Sequence, residues 1–460
     1  MPLIKSISGI RGTIGDKVGE DLTPQDIILY TSSFAMWIKG NSNKQTNKIV
    51  VGRDARISGE MVQGHVINTL TSLGFDVVSL NLSTTPTVEI AVPIENADGG
   101  IIITASHNPK NWNALKLLNS KGEFISSSDG KEVLKIAENF NFDSNEKHII
   151  GEVVEKDNYI DHHIEKILKL DLIDIDSIKK KNFKIVVDAV NSTGGIAVPK
   201  LLEKLNVNVI KLYCDPTGDF PHNPEPLKEN LSDLSELVIK ENADLGIIVD
   251  PDVDRLAFVC ENGDVFGEEY TLVACSDYVL SIKPGPTVSN LSSTRALKDI
   301  TQTYNCEYHS SAVGEVNVVE MMKKTGAIIG GEGNGGIILP DIHYGRDALV
   351  GIALFLSYLS RTNVNCSQLR NKYPNYYMSK KKKEISSTFD YNKMINFFKN
   401  KYSSENINLS DGLKVDFSDS WVQIRKSNTE PIIRIYSEAK NQEAANKMAD
   451  KFINEIKAIN

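Results

Sequence analysis

The amino-acid sequence predicts an α/β protein made of similar units in series, followed by a smaller α+β unit. Three observations predict it. Short Ile- and Val-rich runs alternate with helix-length segments through residue 372, the pattern of βαβ units on mixed, mostly parallel sheets. Lys184-Ile185-Val186-Val187-Asp188 echoes Lys48-Ile49-Val50-Val51-Gly52, and each run leads into a glycine-bearing loop and then a helix, a weak internal repeat. Beyond residue 384 the character changes: strands are expected at 421–425 and 432–436 around a polar loop, with a closing helix at 442–459. A chain of 460 residues has room for three or four domains. The expected units are 1–153, 154–257, 258–372 and 373–460, with 373–384 read as a linker.

Composition narrows the function classes. Hydrophobic residues make up 41% and charged residues 24%, as in globular proteins. The net charge of −9 speaks against broad nucleic-acid binding, so any phosphate site is a local basic pocket. Cys214, Cys260, Cys275, Cys306 and Cys366 are scattered without CxxC spacing, the pattern of buried thiols rather than of disulfides or a zinc site. The first residues lack a signal-peptide pattern, and the apolar stretch 348–359 is too short to span a bilayer. A cytoplasmic protein without membrane partners is expected.

Ser8-Gly9-Ile10-Arg11-Gly12 reads as a loop that brings backbone close to a ligand, with Arg11 a bidentate phosphate ligand or a solvated turn residue. Thr23 and Pro24 open an amphipathic helix to about residue 39. Strand 48–51 enters the glycine-bounded loop 52–59, and a helix follows to 73, closed by Gly74. Strand 75–82 and a helix opened by Thr84-Thr85-Pro86-Thr87 lead to strand 101–103. That strand delivers Thr104-Ala105-Ser106-His107-Asn108-Pro109 at the edge where open α/β sheets keep their ligands. Ser106 there is either a nucleophile or phosphoryl carrier, or part of ordinary turn chemistry. Lys116 follows closely enough to fall back beside Ser106, where it holds phosphate or, with a lowered pKa, moves a proton.

Asp250-Pro251-Asp252-Val253-Asp254-Arg255 sits between strands at 245–249 and 256–259. In extended chain the three aspartates share a side, and a bend at Pro251 converges them on a hard cation such as Mg²⁺. The spacing also imitates an EF-hand, but Arg255 stands where that loop needs glycine and strands flank it where helices should. In the third unit, Gly330-Gly331-Glu332-Gly333-Asn334-Gly335-Gly336 is dense enough in glycine for a ligand to approach the backbone, with Glu332 and Asn334 as sugar-hydroxyl ligands. It is no P-loop, since Gly-Lys-Ser/Thr is missing. Tyr344-Gly345-Arg346-Asp347 opens the apolar helix, and the run Lys380 to Lys383 reads as a solvated linker. In the last unit Arg425-Lys426-Ser427-Asn428-Thr429-Glu430-Pro431, with Arg434 beyond it, makes a phosphate cradle.

Taken in order, these motifs resemble the α-D-phosphohexomutases over essentially the whole chain. Residues 104–109 are similar to that family's phosphoserine loop, 250–255 to its magnesium loop, 331–335 to its sugar-recognition loop and 425–434 to its phosphate-binding loop. Gly9-Ile10-Arg11-Gly12 resembles its N-terminal signature. The resemblance implies four domains around a central cleft and a catalytic phosphoserine at Ser106. It implies Mg²⁺ on Asp250, Asp252 and Asp254 together with the Ser106 group. It also implies catalytic roles for His107, Lys116 and Arg11, and substrate contacts from Arg255, Glu332, Asn334, Arg425, Ser427, Asn428, Thr429 and Arg434. The expected reaction moves phosphate between two positions of a hexose through a sugar 1,6-bisphosphate, which also acts as activator. The expected partners are small sugar phosphates, and the expected assembly is a monomer or homodimer. Three positions depart from the usual pattern: Ala114 and Asn428 replace glycines, and the sugar loop reads Gly-Glu-Gly-Asn-Gly. Glucosamine 6-phosphate, on the way to UDP-N-acetylglucosamine, is the expected substrate. Mannose and glucose phosphates are the rivals, and a non-catalytic sugar-phosphate binder is the remote alternative.

Overall fold

The computed structural model describes residues 3–6, 9–42, 44–140, 150–386, 389–427 and 431–459. The first domain runs β1 (Ile4–Ser6), β2 (Gly9–Thr13), α1 (Pro24–Asn41), β3 (Lys48–Arg53), α2 (Gly59–Ser72) and β4 (Asp76–Leu82). It continues with α3 (Thr85–Ile94), β5 (Gly99–Ile103), β6 (Trp112–Leu118), α4 (Ser127–Glu138) and β7 (Val153–Glu155). Helix α1 starts where expected because Thr23 and Asp26 form a capping box and Pro24 has no N–H to leave unpaired. Arg11 lies in a strand rather than a loop, opposite Ala114 in the β2–β6 pairing. Gly9 makes that approach possible: at φ +109°, a Cβ would stand 2.2 Å from the Leu115 carbonyl oxygen.

The second domain runs α5 (Tyr159–Leu168), α6 (Ile175–Lys181), β8 (Lys184–Asp188), α7 (Gly194–Lys204), β9 (Asn208–Leu212), α8 (Ser232–Glu241), β10 (Leu245–Val249) and β11 (Leu256–Cys260). The third has α9 (Glu268–Ile282), β12 (Thr287–Asn290), α10 (Ala296–Thr303), β13 (Tyr308–Ser311), α11 (Glu315–Thr325), β14 (Ile329–Glu332), β15 (Gly336–Ile338), α12 (Ala348–Arg361) and α13 (Cys366–Arg370). The fourth has β16 (Tyr377–Glu384), α14 (Tyr391–Lys401), β17 (Asn406–Asn408), β18 (Leu413–Asp416), β19 (Trp421–Lys426), β20 (Ile432–Ala439) and α15 (Gln442–Ile459).

The three α/β sheets share one plan. In the first, β4, β3 and β5 are parallel neighbours and β6 returns antiparallel to β5. In the second, β9, β8 and β10 are parallel and β11 returns on β10. In the third, β13, β12 and β14 are parallel and β15 returns on β14. The fourth sheet is antiparallel throughout, in the order β16-β20-β19-β18-β17. One continuous core joins the second and third domains, with Phe258 of β11 stacked on Phe355 of α12 at 3.8 Å between ring centroids. The fourth domain has its own core around Phe398, Val415 and Phe452.

Three expected boundaries need correction. The cut at 153/154 falls inside β7, which pairs with β4 of the first sheet. The cut at 257/258 falls inside β11, whose pairing with β10 carries the second domain to Cys260. Residues 377–384 are no linker: they pair along their whole length with β20 as an edge strand. A lysine run suits an edge strand, because charge along an open ladder blocks further pairing. Among the described residues, no helix is long and apolar enough to cross a membrane.

Candidate active site

In each α/β domain the turn between the third parallel strand and its antiparallel return carries chemistry. The β5–β6 turn presents Ser106, the β10–β11 turn presents the three aspartates, and the β14–β15 turn follows Glu332 and contains Asn334.

The Ser106 turn is clasped from below. Arg56, 1% exposed, donates from Nη2 to the carbonyls of Ser106 and Asn108, and from Nη1 to those of Pro109 and Trp112. Its Nε pairs with Asp54 at 3.0 Å, and Asp54 also accepts from Thr104 Oγ1 at 2.6 Å. Ser106 adopts a left-handed backbone, φ +51°, which its loop has to hold in place. Its Oγ donates to Asp250 Oδ2 at 2.8 Å, and His107 Nδ1 faces the same Oγ at 3.4 Å. Burial and then the nearby Arg255, Arg11 and Arg346 push the His107 pKa down to about 2, so the imidazole is neutral.

The aspartate turn converges differently from the sequence expectation. It is a tight turn rather than extended chain, and its sharp point is Val253, φ +64°, rather than Pro251. Asp250 Oδ1 accepts the backbone N–H groups of Asp254 and Arg255, so one carboxylate closes the turn that displays the other two. Ser192 and Thr193 hold the Pro251 carbonyl at 2.7 and 2.8 Å. One carboxylate oxygen from each of the three aspartates lies within 4.8 Å of the others. All three residues are fully buried, and Asp252 Oδ1 and Asp254 Oδ1 accept no hydrogen bond. Burial and the neighbouring carboxylates raise the Asp250 pKa well above the carboxylate range. Buried carboxylate oxygens that accept no hydrogen bond fit a hard divalent cation.

Lys116 reaches the same turn. Its Nζ donates to Asp252 Oδ2 at 2.7 Å and lies 3.6 Å from Asp254 Oδ2. Burial favours the neutral amine, but Asp252 and Asp254 outweigh it, so the pKa is raised where proton transfer had called for a lowered one. Thr85 Oγ1 adds a 2.7 Å bond to Asp252 Oδ2.

The sugar-loop glycines serve packing rather than ligand access. A Cβ on Gly335, φ +86°, would stand 2.2 Å from the Leu256 carbonyl of the second domain, and one on Gly336 would stand 2.2 Å from Arg346 Cδ. Glu332 is already engaged: Oε1 accepts from Asn290 Nδ2 and Gly314 N, and Oε2 from Arg346 Nη1 at 2.8 Å. Asn334 Oδ1 accepts from Gly336 N.

Arg346 was missed as a site residue. It donates to Asp254 Oδ2 at 2.6 Å, to Glu332 Oε2 at 2.8 Å and to Glu315 Oε2 at 3.0 Å, tying the aspartate turn to the sugar loop. Glu225 was missed as well; it accepts from Arg255 Nη1 at 2.9 Å.

In the fourth domain Arg425 and Arg434 are register partners on β19 and β20. Arg425 Nε lies 3.3 Å from Asp411 Oδ2, and the Ser427 backbone N–H donates to Ile432 O. Asn428 and Thr429 lie outside the described residues. A cleft of about 430 Å³ gathers Arg11, Ser106, His107, Lys116, Arg255, Glu332, Asn334 and Arg425 on its walls, together with Arg346. Arg11 donates to Asn108 Oδ1 at 2.9 Å there.

The chain matches four domain descriptions in order. They are phosphoglucomutase/phosphomannomutase alpha/beta/alpha domains I (residues 4–144), II (157–263) and III (267–377), and the C-terminal domain (380–455). A phosphoglucomutase/phosphomannomutase of Thermococcus kodakarensis is 34% identical, with 95% of this chain and 94% of the relative covered. A phosphoglucosamine/phosphogalactosamine mutase of Sulfurisphaera tokodaii is 31% identical, with 98% and 97% covered. The crystal structure of a phosphoglucomutase/phosphomannomutase family protein from Burkholderia thailandensis superposes with a TM-score of 0.84 at 26% identity, covering 99% of this chain and 98% of that one. The chain therefore belongs to the α-D-phosphohexomutase family, a magnesium-dependent one, and is an isomerase that moves phosphate within a hexose phosphate.

Proposed function

We propose that this enzyme interconverts glucosamine 6-phosphate and glucosamine 1-phosphate through a phosphorylated Ser106 and a glucosamine 1,6-bisphosphate. The observation that carries the mechanism is the contact of Ser106 Oγ with Asp250, beside two carboxylate oxygens that accept no hydrogen bond. Mg²⁺ held by Asp250, Asp252, Asp254 and the Ser106 group supplies charge neutralisation for the phosphoryl group. Arg425, Ser427, Asn428, Thr429 and Arg434 hold the phosphate that is not reacting, and Arg11 and Arg255 line its path. Glu332 and Asn334 orient the sugar. The P–Oγ bond breaks as a P–O1 bond forms; O1 releases its proton and Oγ takes one up. The bisphosphate then turns over, the P–O6 bond breaks and a P–Oγ bond forms again. Lys116, held charged by its aspartates, gives a proton to Oγ and takes up the one that O1 releases, with His107 orienting it.

The amino sugar is favoured by the cleft wall of the third domain. Glu315 and Glu332 there are paired with Arg346, which leaves Glu320 as the wall carboxylate for a 2-ammonium group. Relatives named for glucosamine phosphates agree with that choice, and the relative named for glucose and mannose phosphates marks the alternative. Phosphorus NMR on the Mg²⁺-loaded enzyme, primed with the matching 1,6-bisphosphate, tests it against glucosamine, glucose and mannose 6-phosphates. The 1-phosphate signal should grow fastest from glucosamine and vanish with Ser106→Ala. Faster growth from glucose or mannose overturns the substrate. Unchanged isomerisation in Ser106→Ala overturns the phosphoserine.

A further inference from the structure

Away from the cleft, four ionisable side chains from three domains meet in the interior. His163 comes from α5 of the second domain, Glu89 from α3 of the first, and His343 and Asp347 from the entry to α12 in the third. His163 and Asp347 are fully buried and Glu89 is 1% exposed. His163 Nε2 lies 2.8 Å from Asp347 Oδ2, and His343 Nε2 lies 3.3 Å from the same oxygen. One ligand atom from each of these three residues falls within 4.8 Å of the others.

The remaining polar atoms are arranged as an outer shell. His163 Nδ1 faces Thr87 Oγ1 at 3.0 Å, which leaves Nε2 for the centre. Asp347 Oδ1 is taken by the backbone N–H groups of Leu349 and Val350 at the start of α12, which leaves Oδ2. His343 Nδ1 faces Glu89 Oε2 at 3.0 Å, which leaves Nε2 for the centre. Gly345 permits this approach, because a Cβ there would stand 1.8 Å from Glu89 Oε2. Carboxylates and backbone groups that fix a histidine's far nitrogen are the usual outer shell of a metal site.

Two carboxylates are buried here with two imidazoles, and a divalent ion with neutral imidazoles would neutralise both carboxylates. Tetrahedral bonds of about 2.0 Å put ligand atoms about 3.3 Å apart; the His343–Asp347 pair stands at 3.3 Å, and the His163–Asp347 pair, at 2.8 Å, has to open by about 0.5 Å to admit an ion. Two nitrogen donors select a borderline ion over the hard one suited to the aspartate turn.

We propose that His163, His343 and Asp347 form a structural site for a divalent ion of the zinc class, with Glu89 and Thr87 as its outer shell. Such an ion ties α5 of the second domain to the entry of α12 in the third, one residue away from Arg346.

The test is metal analysis of the purified full-length enzyme in excess Mg²⁺, which fills the aspartate turn, followed by Co²⁺ exchange and X-ray absorption. The expected result is one tightly held ion per chain with imidazole nitrogens in its shell. It should be lost in His343→Asn and Asp347→Asn and retained in Asp252→Asn. Oxygen-only coordination, no ion surviving excess Mg²⁺, or an ion lost equally in Asp252→Asn overturns the proposal. The wild-type spectrum decides alone if the substituted chains do not fold. A simple His–Asp hydrogen-bond chain gives the no-ion result.

Discussion

The second and third domains use the same sheet and the same turn for opposite ends. In the second, the turn after the third strand buries carboxylates and leaves Asp252 Oδ1 and Asp254 Oδ1 without hydrogen bonds. In the third, the Glu332 carboxylate at the equivalent turn accepts from Asn290, Gly314 and Arg346. One turn keeps carboxylate oxygens free of hydrogen bonds and is a candidate cation site. The other is finished by the protein itself. The shared plan supplies only a rigid place for the turn, and its chemistry is set by which groups the neighbouring domains bring.

The comparison breaks first at Arg346, the residue that serves both turns. Arg346→Met leaves Asp254, Glu315 and Glu332 facing one another in the interior, and urea unfolding should show a loss of roughly 3–5 kcal/mol. If stability holds, the two turns are not coupled through this guanidinium. Asp252→Asn comes next. It removes charge from the unfinished turn and a partner of Lys116, so kcat at saturating Mg²⁺ should fall about 10²–10³-fold. An effect below tenfold would mean that the turn is not the charge-neutralising centre.

Gly335→Ala probes the finished turn. The left-handed φ and the Leu256 carbonyl at 2.2 Å should together cost about 1–3 kcal/mol of thermal stability, with a rise in KM as the sugar loop shifts. The smallest effect belongs to His222, which bonds Asp188 at the end of β8 at 2.9 Å. Burial lowers its pKa, but the Asp188 hydrogen bond and charge outweigh burial and raise it. The folded chain thus holds this proton more tightly than the unfolded one. The stabilisation is whole below about pH 6.5 and is lost as pH rises through the raised value. His222→Gln should therefore destabilise the second domain by about 1 kcal/mol near pH 6, and by less near pH 9, in parallel denaturant titrations.

What the sequence made legible was local. Ser106 and the aspartates stand at the ends of Ile- and Val-rich strands, where periodicity and turn residues announce a loop. The alternation of strands and helices also carried the class of fold, because a parallel sheet needs its crossovers in sequence order. What stayed hidden was made by long-range contact. Arg346 reads as the residue before a helix cap, yet its partner Asp254 is 92 positions away. Arg56 reads as one of two arginines in a loop, and its four carbonyl partners begin 50 positions on. The sugar-loop glycines invited a ligand-based reading because the Leu256 backbone that needs the space belongs to another domain. Strand β16 was misjudged because an edge strand needs only one hydrophobic face and carries charge on the rest.

Arg56 has one more consequence. Four peptide carbonyls turn their oxygens toward a single buried guanidinium, so the segment from Ser106 to Trp112 has little freedom to relax. In the proposed reaction Ser106 is esterified and freed again in every cycle and so changes its charge each time, and a soft loop would follow that change and spend energy on reorganisation. A loop held from beneath keeps the same shape in both states, so the barrier to each transfer contains little cost for rearranging the protein.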